Sequence, residues 1–304
     1  MLTSEPAPEV SPAGWFVPAS FTNVAGTRAY KLYVPSGAGG RALPLLVMLH
    51  GCTQSADDLA AGTRMNQLAE SGSFFVVYPE QSGSANGQRC WNWFNADDQR
   101  RERGEPSIIA GITRQVVATQ QIDPRRVYVA GMSAGGAMAA VMGAAYLDLY
   151  AAVGIHSGLA YGAAHDLPSA FRAMKGGAPD PSGGKTRAAE AAGALDLARS
   201  VPTIVFHGDC DGTVHPRNGE QGLHQWAAGP ATVRRGRVSG GRAYTCSVHR
   251  DVEGRSQRVG SFTVPVRPGR AEARAVSTPI PPAPRPRRRW CASSWSTSGT
   301  RAPS

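Results

Sequence analysis

The chain has 304 residues, 41% hydrophobic and 7% aromatic, enough to bury one sizeable core in a single large domain. It has no run of about 18 uninterrupted apolar residues, so no membrane-spanning helix is expected, and the stretch from Met1 to Glu9 lacks the basic start and apolar centre of a secretory signal. The formal net charge of +10 invites a nucleic-acid partner, but ten arginines against two glutamates between Val252 and Ser304 account for most of it. Polyanion contacts would be confined to the Arg285–Arg289 run. Such tails are more often simply solvated, so no nucleic-acid partner is expected.

In chain order, residues 1–22 read as a Pro- and Ser-punctuated lead-in, and Thr27–Val34 alternates as an edge strand should. Leu45–His50 and Phe74–Tyr78 are short continuous apolar runs bounded by turn formers, which suits strands buried on both faces of a parallel sheet. Helical patterns cover Ala56–Glu70, Pro106–Gln121 and Ala134–Tyr146, the last so rich in Ala and Gly that it can lie close against a sheet. Ala151–Ile155 and Thr203–His207 read as further strands, and residues 161–200 as a helical excursion. This alternation predicts a three-layer α/β fold with a mostly parallel central sheet flanked by helices. The expected division is a lead-in at 1–22, an α/β domain at 23–265 and an irregular basic tail at 266–304.

The chemistry centres on Val127–Gly136, a β-branched run ending in Gly131-Met-Ser133-Ala-Gly135 and turning alanine-rich. Strand, sharp turn and helix in that order form a nucleophile elbow, which makes Ser133 the candidate nucleophile. An acid must follow at the end of a later strand, and His207-Gly-Asp209-Cys-Asp211-Gly-Thr-Val-His215 supplies it. Asp211 is the better candidate, Asp209 being placed to brace the turn. Two backbone amides must meet the developing oxyanion. Ala134, next after the nucleophile, offers one, and Cys52, in the His50-Gly51-Cys52 loop after an early strand, offers the other.

These residues resemble the polyhydroxybutyrate depolymerase-type esterases of the α/β-hydrolase superfamily, which are similar to feruloyl and acetylxylan esterases. The resemblance covers residues 14–251 and rests on Leu49–Gln54, Tyr78–Gln81, Cys90–Phe94, Gly131–Gly136 and His207–Pro216 in the right order. It implies a serine hydrolase of short-chain hydroxyalkanoate esters or polyester, extracellular, with no cofactor or metal. A feruloyl- or acetylxylan-type ester is the alternative substrate. It also implies a Cys52–Cys90 bridge and places Trp91, Asn92 and Trp93 near the cleft, where the rings either face an apolar polyester chain or pack in the core. Cys210 and Cys246 are candidates for a second bridge, and Cys291 is left over in the tail. With no linker to a substrate-binding domain in view, soluble or amorphous esters are expected over crystalline polymer.

One element of the pattern is missing. The resembling family carries its general base in a Gly-x-Gly-His segment after the acid, whereas here no histidine follows His249 and the corresponding stretch reads Phe262-Thr-Val-Pro-Val-Arg-Pro-Gly. Without a base Ser133 is a poor nucleophile, so a hydrolase-like fold lacking catalysis is a competing reading. His207 and His215 beside Asp211, and His249 on a predicted strand with Cys246, are the weak substitutes, better suited to structural roles. A change of reading frame near Val266 or Arg267 accounts for both the lost base and the tail. Taking the last base of each codon with the first two of the next, the Pro268–Gly269 junction permits Trp, the next permit Ser, Gly and Gly, and Trp290–Cys291 forces Val. The Val266–Arg267 junction cannot encode His, so the shift is expected at that point; a gene sequence confirming the present frame would remove the idea.

Overall fold

A computed structural model describes residues 14–179, 201–226, 231–237, 243–249 and 259–264. Ten strands among them form one sheet: β1 (Trp15–Asn23), β2 (Gly26–Val34), β3 (Leu43–Leu49), β4 (Phe75–Pro79), β5 (Ile122–Met132), β6 (Ala152–His156), β7 (Thr203–Gly208), β8 (Ala231–Arg237), β9 (Ala243–His249) and β10 (Val259–Val264). Their spatial order is β1-β2-β4-β3-β5-β6-β7-β10-β9-β8. The centre, β4 through β10, is parallel, and antiparallel pairs close both sides.

Period-2 side-chain alternation sorts the continuous apolar runs onto two faces. Leu45, Val47 and Leu49 of β3, with Phe75 and Val77 of β4, join one core cluster. Met48, Val76 and Tyr78 join another. The first is covered by α3 (Gly104–Thr119) and α4 (Ala134–Ala145), the second by α1 (Ala56–Thr63) and α2 (Met65–Gly72). Every residue of α4 is buried, as its small side chains allow. Among the described residues, α5 (Leu167–Gly176) packs on α6 (Arg217–Trp226), which in turn packs on β6 and β7.

Several expectations need correction. The sheet starts inside the stretch read as a lead-in: β1 pairs with all of β2, making β1 the edge and β2 an inner strand. The single helix expected over Ala56–Glu70 is two, broken where Arg64 takes the left-handed conformation (φ 55°). Cys52 and Cys90 are bridged, but Cys210 and Cys246 are not joined to each other. Strand β8 was not foreseen, and β10 falls on the start of the segment where the base was sought. Cys291 and the tail from 266 lie outside the described residues.

Candidate active site

Ser133 stands at the tight turn between β5 and α4, with φ 57° and ψ −121°. A non-glycine residue with positive φ is strained, and the surroundings must hold it there. The Ser133 amide donates to the His156 carbonyl at 2.9 Å, and the helix starts at once with Ala137 N–H donating to the Ser133 carbonyl. The two flanking glycines are sterically required. A Cβ on Gly131 would strike the Gly135 carbonyl, and one on Gly135 would strike the Leu49 and His50 carbonyls. The nucleophile loop and the end of β3 therefore touch backbone to backbone. A Cβ on Gly51 would lie 3.4 Å from the Ser133 Cβ.

The loop after β3 is held so that one amide is left over. Gly51 N–H donates to Gln54 Oε1 at 2.8 Å, Thr53 N–H to the Gln88 carbonyl at 2.7 Å, and Gln54 N–H to the Gly51 carbonyl at 3.4 Å. The Cys52 N–H has no protein acceptor among the described residues. Ala134, first residue of α4, presents an amide that no intrahelical carbonyl can reach, at the positive end of the helix dipole. His50 fixes the loop from behind: its Nδ1 pairs with the Gly51 carbonyl at 2.7 Å, so Nε2 accepts from Gln81 N–H at 3.0 Å. Burial holds its pKa below the ordinary histidine value, which keeps the ring neutral as this pattern demands.

Asp211 follows β7. Its Oδ1 accepts the Thr213 and Val214 amides, both at 3.0 Å, and its side chain is almost fully buried. Only β6 separates β5 from β7, so the strands carrying Ser133 and Asp211 are about 10 Å apart, room for one imidazole between them. Two amide donors thus fix the carboxylate in place just after the acid strand.

Each substitute base has other partners in the structure. His207 is buried, its Nε2 bonded to the Val214 carbonyl at 2.8 Å and 3.6 Å from Asp211 Oδ2; it braces the acid loop. His215 accepts the Arg217 amide at 3.2 Å and serves the start of α6. His249 pairs with Val259 at the beginning of β10, the opposite end of the sheet, with its ring 6.0 Å from that of His224. Sequence reading overlooked His156. It ends β6 between the nucleophile and acid strands, stacks on Phe206 at 6.4 Å, and burial lowers its pKa. The signal, a histidine closing the strand after the elbow, is too weak to single out without the strand order.

The tryptophans take the second of the two placements left open by the sequence. Trp91 is wholly buried and Trp93 nearly so; both belong to the core, and Trp91 packs its ring 5.5 Å from that of His50. They present no open face to a polymer chain. Asn92 between them is half-buried and bonded to Glu105.

The sheet order and the elbow define the α/β-hydrolase class. Residues 28–234 match the family model described as esterase PHB depolymerase, and the chain belongs to that family. It is 38% identical over 214 residues to poly(3-hydroxyalkanoate) depolymerase C of Paucimonas lemoignei, covering 67% of this chain and 49% of the relative, so it spans about half of that protein's length. Feruloyl esterase B of Neurospora crassa is 29% identical over 76% of this chain and 80% of its own. Among solved structures, the acetyl xylan esterase from Aspergillus awamori superposes with a TM-score of 0.67 at 21% identity, covering 82% of this chain and 92% of that one.

Proposed function

We propose that this protein is a serine carboxylic-ester hydrolase of the polyhydroxyalkanoate depolymerase type. The observation that carries the reading is the strained Ser133 at the elbow, beside the unoccupied Cys52 amide and the Ala134 amide, one strand away from the aimed Asp211 carboxylate. Ser133 Oγ attacks the ester carbonyl, the two amides take the oxyanion, and a base oriented by Asp211 accepts the serine proton and returns it to the departing alcohol. The acyl-serine is then hydrolysed by water.

The base is the open position. Strand β10 runs parallel to β7, and Val264 at its end is level with Gly208, three residues before Asp211. A histidine restored there by the frame change would complete the triad. In the chain as it stands, the strands next to β5 are β3, followed directly by His50, and β6, which ends in His156. His156, at the end of β6 between the nucleophile and acid strands, is the residue to test as a base.

The family and its relatives support a substrate class of hydroxyalkanoate esters, with feruloyl or acetyl-xylan esters as the second reading. An extracellular setting is supported by the Cys52–Cys90 bridge, and no described helix is long and apolar enough to cross a membrane. Hydrolysis of a soluble hydroxybutyrate trimer, methyl ferulate and acetylated xylan, compared by kcat/KM, tests the assignment. The trimer should be preferred at least tenfold; preference for either plant ester would overturn the depolymerase reading while leaving the esterase.

A further inference from the structure

The buried carboxylate of Glu105 lies at the start of α3, outside the set of reacting groups, and gathers four donors. Its Oε1 accepts from Arg28 Nη2 at 3.3 Å, from Asn92 Nδ2 at 2.8 Å and from Gln81 Nε2, and its Oε2 accepts from the Asn92 amide at 2.8 Å. Gln81 Nε2 also donates to the Cys90 carbonyl at 3.0 Å, and the Gln81 amide donates to His50 Nε2. An unbroken chain of hydrogen bonds thus runs from Glu105 through Gln81 and His50 to the Gly51 carbonyl, one residue before the Cys52 amide. The Cys52–Cys90 disulfide spans the same two loops covalently. Asp98 seats Glu105 in turn, its Oδ1 accepting the Glu105 amide at 2.7 Å.

We propose that Glu105 is a positioning residue for the oxyanion loop, holding the Cys52 amide by a route parallel to the disulfide, so that the loop keeps its shape when the disulfide is reduced. The reason is chemical. All four groups facing Glu105 are donors, so only a carboxylate with two acceptor oxygens satisfies them, and an amide would set an N–H₂ against at least one. A buried carboxylate that accepts from four donors holds them in one geometry, whereas one missing acceptor leaves several buried donors unpaired. The 38-residue span between the bridged cysteines gives the disulfide only the task of tethering the loops; the hydrogen bonds set the direction of the amide.

The consequence for chemistry rests on the esterase reading, but the test of position does not. Hydrogen–deuterium exchange is followed in peptides covering 49–55 and 86–95, with 134–145 of α4 as control. The full chain is measured oxidised, reduced with dithiothreitol, as Glu105→Gln, and as Glu105→Gln reduced. Reduction alone should speed exchange in the two loops less than about threefold, and Glu105→Gln by about tenfold or more. The two together should exceed the product of the separate effects, with the control unchanged. Reduction alone bringing 49–55 to the rate of an unstructured peptide, or Glu105→Gln leaving both loops unchanged, overturns the proposal. If Glu105→Gln also loosens the control, Gln81→Met cuts the same chain at Gln81, removing its side-chain bonds to Glu105, the Cys90 carbonyl and the Ser82 amide, and must speed both loops; no change there overturns it equally. In any form that hydrolyses p-nitrophenyl butyrate, Glu105→Gln should lower kcat about tenfold to a hundredfold with KM within twofold. A raised KM at constant kcat contradicts the role, whereas absence of hydrolysis in every form counts against the esterase reading and leaves the exchange result to decide the rest.

Discussion

Ser133 holds an unfavourable backbone conformation because the glycines beside it let three backbone segments meet. Gly135→Ala should therefore cost about 1–3 kcal/mol of stability by forcing the Leu49–His50 carbonyls and α4 apart, and thermal or urea unfolding measures it. Substitution to Ala at Gly176, where an added Cβ meets nothing, should cost far less. The elbow was legible because its requirement is local, two glycines and a serine between a strand and a helix. The tryptophans were not: Trp91-Asn-Trp93 reads alike whether its rings face a cleft or a core, and here they are core. Nor was Glu105, an acidic residue in a helical first turn that nothing in the sequence separates from an ordinary solvated one.

At the scale of elements, apolar runs such as β3 and β4 were readable as buried strands, and the structure adds only how alternate residues divide between two clusters. Strand β1 was not. Most of its residues are exposed and Pro18 interrupts it, so its order comes from pairing with β2 and from α3, against which Phe21 packs and where Asn23 bonds to Ser107 at 3.0 Å. Removing residues 1–23 should strip an inner strand of its neighbour and lower the Tm by about 5 °C or more; an unchanged Tm would show that β1 adds nothing. The break at Arg64 was equally hidden, since both halves, Ala56–Thr63 and Met65–Gly72, have helical sequences and only the left-handed residue between them marks the turn.

At the scale of the molecule, three histidines, His50, His156 and His207, have folded pKa values lowered from 6.5, in each case chiefly by burial. The unfolded chain therefore binds protons that the folded one refuses. Stability should be flat in this respect above about pH 6.5 and fall as pH drops below it toward the folded values. A Tm that stays constant between pH 7.5 and 5.5 would contradict the burial of these rings. The parallel sheet order was foreseeable only as a class, because the strand sequence does not say that β10 lies beside β7, with Val264 level with Gly208 at the end of the acid strand.

The most direct measurement is hydrolysis of p-nitrophenyl butyrate by the chain with its frame restored after Val266, beside the same chain carrying Ser133→Ala and the chain as it stands. The expected result is hydrolysis by the restored chain that falls about a thousandfold or more on Ser133→Ala, with the chain as it stands far slower. Equal rates with and without Ser133, or no hydrolysis by the restored chain, would contradict the assignment of Ser133 as the nucleophile of an esterase.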